Sequence, residues 1–328
     1  MQSYAKGIFF CFVATLSWGG MFPVMNGALR HIDPFTFTSL RYTLAGLAFL
    51  VLLLHRDGVE SLKLKGQRPV LAWLFGTAGF AGFGFLVFLG QQMAGREGAL
   101  TASIMMATQP MLGLLINWLL RKVVPPIYSI FFILLSFCGV ALVVTKGHPA
   151  ALLQEPQNFV ADALILLGAL CWVIYTVGGT FFPKWSPYKY TTVTTGLGLL
   201  SVYAVNLVLL VTGQVDVPTV NTLRTITPDL TYMALVAGLL GVLCWNFGNR
   251  ILTPLNGVLF MDVVPVTAFV ISATQGIVPE KVQVLGACFT GIALICNNIC
   301  MRLFPPAQPQ TATSLYPGDV PKSVERVI

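Results

Sequence analysis

The sequence predicts an all-α polytopic membrane protein, with ten transmembrane helices in two inverted five-helix repeats around a central cavity. Three observations lead there. Of 328 residues, 56% are hydrophobic and only 9% are charged, whereas a soluble domain carries about 25% charged residues. The charges are bunched between uncharged runs of about 20 residues, enough helix to cross a hydrocarbon core of roughly 30 Å. A pattern of Trp, Pro and Gly in the first half of the chain then recurs, in order, in the second.

This composition excludes a soluble enzyme, a disordered chain and a secreted disulfide scaffold. It also excludes an outer-membrane barrel, whose strands alternate apolar and polar residues over about 10 positions. The net charge of +7 would suggest nucleic acid in a soluble protein. Here the basic residues flank apolar runs, so they orient the chain in a lipid bilayer instead.

The uncharged runs place the helices near Gly7–Asn26, Phe35–Leu54, Val70–Gln91, Ala99–Leu120, Tyr128–Thr145, Ala161–Phe181, Thr191–Val211, Tyr232–Asn249, Pro254–Gln275 and Val282–Met301. Arg41 falls about two turns into the second, and Asp262 near the centre of the ninth. With a cytoplasmic N-terminus, 13 of the 19 basic residues lie on the inner side, Lys63, Arg68, Lys184 and Arg250 among them. The positive-inside rule therefore puts both termini in the cytoplasm and the protein in the cell (inner) membrane. Residues 1–146 form the first repeat, 147–160 a linker and 161–303 the second repeat. The Pro-, Ser- and Thr-rich residues 304–328 read as a disordered cytoplasmic tail.

The repeat is carried by five matches. Trp18 corresponds to Trp172, Pro34 to Pro187, and Ala78-Gly79-x-x-Gly82 to Ala237-Gly238-x-x-Gly241. Pro110 corresponds to Pro265, and Phe137-Cys138-Gly139-Val140-Ala141 to Phe289-Thr290-Gly291-Ile292-Ala293. An odd number of spans per unit starts the second unit from the opposite side. The halves are then related by a pseudo-two-fold axis in the membrane plane, the plan of many secondary transporters.

Two five-span units, each with a proline-bearing fourth helix and a glycine-bearing fifth, resemble the EamA units of the drug/metabolite transporter superfamily. The resemblance covers roughly Tyr4–Leu303. It rests on Ala102-Ser103 ahead of Pro110, Gly257 ahead of Pro265, and Pro279-Glu280 with Gly286 and Gly291. Such units often carry a glutamate between helices four and five. Glu280 fits that pattern, while the first half has Arg121-Lys122-Val123. Within the superfamily the chain is most similar to bacterial amino-acid exporters of the aromatic type, which implies outward transport.

The residues themselves suggest where a solute binds. Asp262 carries a carboxylate that costs about 2.5–3.5 kcal/mol at a helix centre, so it reads as a proton-coupling site, an anchor for a substrate ammonium or half of a structural ion pair. Mid-helix Pro110 and Pro265 free the carbonyls of Met106 and Met261. Cys11, Thr15, Trp18 and Phe22 share one face of the first helix, and Gly168, Trp172, Tyr175 and Gly179 one face of the sixth. Such faces line an apolar pocket or pack helices together. Trp245, Asn246 and Asn249, and Met105, Thr108 and Gln109, bring polar groups inward. Gln91, Gln92, Arg96 and Glu97 read as a solvated rim.

The expected substrate-binding set is Trp18, Gln109, Trp172, Tyr175, Trp245, Asn246 and Asp262. No catalytic residue, metal or cofactor is expected. The three histidines lie in connections, the seven cysteines lie in apolar runs without a CxxC pair, and Walker loops are absent. Gly76, Gly79, Gly82 and Gly84 sit inside an apolar helix without a preceding strand, so they read as close packing rather than a dinucleotide loop. The function expected is secondary export of small metabolites, foremost neutral and aromatic amino acids, by alternating access, with a proton as coupling ion if there is one. Export of organic cations is the alternative. A channel would need a continuous polar stripe, and an intramembrane enzyme would need clustered polar catalytic groups.

Overall fold

The computed structural model describes residues 2–64, 67–121, 124–145, 147, 156–252, 254–257, 260–261, 263–274, 276 and 280–304. Apart from turns and short connections, these residues are helical. Helix α1 is Gln2–Ala28. Helix α2, Pro34–Asp57, starts where the Asp33 carboxylate accepts from the N–H groups of Phe35 (2.9 Å) and Thr36 (2.8 Å), with Pro34 at the first position. It ends at Gly58, whose φ of 73° suits a residue without Cβ. Helix α3 is Pro69–Met93. Next come α4 (Gly98–Met106), α5 (Gln109–Arg121) and α6 (Ile127–Thr145).

Helix α7 is Pro156–Gly178. Helix α8, Pro187–Val211, repeats the start of α2: the Ser186 hydroxyl accepts from Lys189 N–H at 3.0 Å, and Pro187 holds the first position. Helix α9 is Val220–Leu252. A single turn, Pro254–Gly257, leads toward α10 (Val263–Thr274) and then α11 (Lys281–Leu303). A reciprocal capping box between Glu280 and Gln283 opens α11.

Among the described residues six helices, α1, α2, α3, α7, α8 and α9, are long and apolar enough to cross a membrane. Helices α4 and α5 pass the same test only as a pair, bent by 49°, while α6, α10 and α11 carry shorter apolar stretches. The chain is thus a multi-pass helical membrane protein.

Three expected elements differ. The fourth run is broken at Ala107–Thr108 rather than bent within one helix. Pro110 offers no N–H, and the ladder tightens ahead of it through Ala107 N–H to Ile104 O (3.0 Å) and Thr108 N–H to Met105 O (3.1 Å). The ninth run is also interrupted, and Pro265 sits in the first turn of α10, where a missing N–H loses no helical bond. The eighth span begins three turns early, because Thr219 caps the helix by accepting from Thr222 N–H at 3.1 Å.

Packing pairs helices from before and after the linker. Helix α1 lies on α9, α3 on α7, α2 on α8 and α6 on α11. Small residues let them approach, as in membrane interiors generally. A Cβ on Gly198 of α8 would stand 2.5 Å from the Gly76 carbonyl of α3. Gly139 of α6 and Gly286 of α11 face each other's carbonyls at the same distance. The glycines of α3 are therefore contact points, and Gly79 and Gly82 abut Tyr175 and Cys171 of α7.

Candidate functional site

Helices α1, α2, α3, α7 and α9 converge with the two helix breaks around a narrow cavity. Its wall is built from Trp18, Met21 and Phe22 of α1, Arg41 and Tyr42 of α2, Phe83 of α3, and Met106 and Gln109 at the α4–α5 break. Trp172 of α7, Ala237 and Val242 of α9, Met261, and Val264 of α10 complete it. The cavity is narrow, with room for about one water molecule.

Aromatic rings make most of that wall. Trp18 and Trp172 meet edge to face at 5.2 Å, and Phe83 lies 5.2 Å from Trp172. Arg41 supplies the charge. Its guanidinium carbon lies 4.1 Å from the Tyr42 ring centre and 4.8 Å from that of Phe88. One terminal nitrogen donates to the Tyr42 hydroxyl and the other reaches Met21 Sδ at 3.8 Å. Among the described residues, no carboxylate pairs with Arg41, and its Nε is buried without an acceptor. The Trp172 Nε1 and the Gln109 Oε1 are likewise buried and unpaired.

The two tryptophans differ, and the cause lies in the backbone they face. Residues Thr77–Gly82 of α3 and Tyr232–Gly241 of α9 are π-helical. In α9 the ladder steps back to α geometry at Val242, whose N–H bonds Gly238 O. Ala237 O accepts from the Trp18 indole N–H at 2.9 Å. In α3 the matched carbonyl of Ala78 is held by Phe83 N–H, and Trp172 finds no partner.

Of the residues expected to bind a solute, Trp18, Gln109 and Trp172 line this cavity. Trp245, Asn246 and Tyr175 lie beside it and are engaged with protein groups. Trp245 packs 5.2 Å from Trp18 and donates to Thr176 Oγ1 at 2.9 Å. Asn246 donates to the Tyr175 hydroxyl at 2.8 Å and to Thr191 Oγ1 at 2.7 Å. Asp262 lies outside the described residues.

Gln91 is not part of a solvated rim. It is fully buried and donates to Phe22 O at 2.8 Å, tying α3 to α1. Arg41 is not in the expected binding set, but its charge inside a span makes it, with amides and indole N–H groups, one of the groups the sequence offers to a substrate carboxylate. The sequence reading passed over Asp162, which is buried near the start of α7. Phe22 lines the cavity from the face it shares with Trp18, while Met21 and Phe83 give no separate signal, because apolar lining and apolar core look alike in a sequence.

A cavity among membrane-spanning helices, lined by aromatic rings and a buried cation, suits a transporter-type membrane protein. Comparison with known proteins agrees. The model of the EamA-like transporter family matches residues 5–145 and again residues 159–299. The chain is 36% identical over 296 residues to the uncharacterized transporter YrdR of Bacillus subtilis (strain 168), covering 90% of this chain and 92% of that one. It is 25% identical over 286 residues to the uncharacterized transporter YyaM of the same organism, covering 87% and 91%. A crystal structure with 17% identity and a TM-score of 0.64 shares the fold over 91% of this chain and 99% of its own. The chain belongs to the EamA-like transporter family, and it moves a solute rather than converting one.

Proposed function

We propose that the protein exports neutral amino acids, larger apolar and aromatic ones included, across the inner membrane by alternating access. Ten spans in two inverted repeats, with both termini cytoplasmic, would form the frame. The observation that carries the substrate reading is the cavity itself: a small aromatic chamber, built from both sides of the linker, around Arg41. Its rings suit an apolar side chain without demanding one shape. A bare organic cation, the alternative cargo, would enter beside a buried guanidinium with no described counter-charge. A sugar phosphate would need more than one cation. The outward direction rests on the resemblance to amino-acid exporters.

What supports alternation is the unequal state of two matched elements. Trp18 is bonded to the π-helix of α9, while Trp172 is unbonded beside the π-helix of α3. Halves of like sequence in unlike states suit a protein that exchanges their roles. Transport needs no ATP in this reading. Asp262 takes up and releases the coupling proton if one moves.

The test is counterflow in proteoliposomes with labelled phenylalanine, methionine, threonine and lysine, beside a sugar phosphate and an organic cation. Saturable exchange of the apolar amino acids is expected. Exchange of only the phosphate or only the organic cation would overturn the substrate assignment.

A further inference from the structure

A guanidinium buried in a membrane helix is costly to hold without a partner, and buried polar groups with no partner call for an explanation. Arg41 is 2% exposed, yet its described partners are a thioether, a phenol and two ring faces. Its Nε–H has no acceptor. On the same cavity wall the Trp172 indole N–H, 3% exposed, also lacks one. The atoms on that wall with no partner at all are thus one charged donor, one neutral donor and one acceptor, the Gln109 amide oxygen. Apolar side chains make up the rest.

We infer that Arg41 and Trp172 form an anion subsite that holds the carboxylate of the transported molecule. Recognition is therefore led by the carboxylate, and the site accepts apolar monocarboxylates whether or not they carry an ammonium group. The inference rests on the reading of this cavity as the transport site. A guanidinium edge supplies charge-assisted hydrogen bonds to carboxylate oxygens, and an indole can only donate. A monoanion fits the single described cation in the wall. The rings then bury the apolar body. An amine without a carboxylate leaves both donors unpaired and adds a second positive charge.

The test uses the full chain in lipid nanodiscs and three ligands that share one aromatic body: phenylalanine, 3-phenylpropionate and 2-phenylethylamine. Thermal stabilisation is followed against ligand concentration, because a ligand that binds only the folded state raises the melting temperature. Phenylalanine and 3-phenylpropionate are expected to stabilise the protein, and 2-phenylethylamine is not. Arg41→Gln should raise the concentration of either carboxylate needed by about ten-fold or more. Trp172→Phe, which keeps a ring and removes the N–H, should raise it by less. Should Arg41→Gln fail to fold, Arg41→Lys and Trp172→Phe carry the same comparison.

Stabilisation by the amine equal to that by the carboxylates would overturn the subsite, as would an unchanged response to 3-phenylpropionate in every folded variant. No response to any of the three ligands would overturn it as well. Arg41-dependent stabilisation by 3-phenylpropionate, with no phenylalanine counterflow, would support the subsite and remove the amino-acid reading. Phenylalanine counterflow inhibited equally by the amine would do the reverse.

Discussion

Two glycines on nearly opposite faces of α8 should respond to alanine in opposite directions. Gly198 crosses α3 so closely that an alanine Cβ would lie 2.5 Å from Gly76 O and 2.7 Å from its carbonyl carbon. Ordinary contact begins at 3.4 Å, so the two backbones must separate by about 0.9 Å, and no side-chain rotation relieves it. Overpacking of this kind costs about 1–3 kcal/mol. Gly196, two residues earlier, has nothing within 4 Å of its Cβ position. There alanine meets no obstacle and gains helix propensity worth about 0.5–1 kcal/mol. The same propensity gain offsets part of the clash at Gly198.

The two variants should therefore differ by about 1–3 kcal/mol, with Gly196→Ala above wild type and Gly198→Ala below it. Melting temperatures move by roughly 2–4 °C per kcal/mol in chains of 150–250 residues, so a separation of a few degrees is expected. Fluorescence-detected melting of the purified protein at one scan rate reads it. Equal melting temperatures, or Gly198→Ala above Gly196→Ala, would refute the close crossing of α3 and α8.

Other outcomes follow from the site. Gln109→Ala should slow counterflow while leaving the melting temperature within a degree or two of wild type; a large loss of stability with normal transport would assign Gln109 to packing. Asn246→Ala breaks two buried hydrogen bonds that join α9 to α7 and α8, and should lower stability by about 1–3 kcal/mol; unchanged melting would show those bonds to be unimportant. If a pH gradient drives transport, Asp262→Asn should abolish that stimulation and spare counterflow, in which no net proton moves. Stimulation that persists in this variant would remove the proton role.

Much of this arrangement is readable in the sequence, for definable reasons. Spans show because their apolar runs match the bilayer's thickness, and α2 and α8 show because Asp33-Pro34 and Ser186-Pro187 are helix starts by chemistry alone. Trp18 and Trp172 are legible as a pair because an indole halfway along a span has no membrane interface to anchor it. The breaks are harder. Pro110 signals a disturbed ladder, yet whether a helix bends or parts depends on how the preceding residues, here Ala107 and Thr108, can re-bond. Gln91 reads as rim from its place at a run's end, and only its bond to Phe22 O shows it to be inside. The π-helices leave no periodic trace in composition. Their sign is indirect, in glycines spaced for close contact.

The π-helices also make the two tryptophans separable by experiment. Trp18 and Trp172 occupy matched positions, both are nearly buried, and each touches aromatic neighbours about 5.2 Å away. Replacing either with phenylalanine removes similar ring area, so packing alone predicts similar effects. Hydrogen bonding predicts a difference. Trp18→Phe strips the indole donor from Ala237 O, at a cost of about 1–3 kcal/mol. Trp172→Phe deletes an N–H that has no acceptor, and relieving it costs nothing in hydrogen bonds. In ligand-free protein, Trp18→Phe should therefore melt below Trp172→Phe, and the gap should narrow when a carboxylate ligand engages the Trp172 N–H, which only Trp18→Phe retains. Equal melting of the two variants without ligand would mean that the halves do not differ, and the asymmetry offered in support of alternation would fall with it.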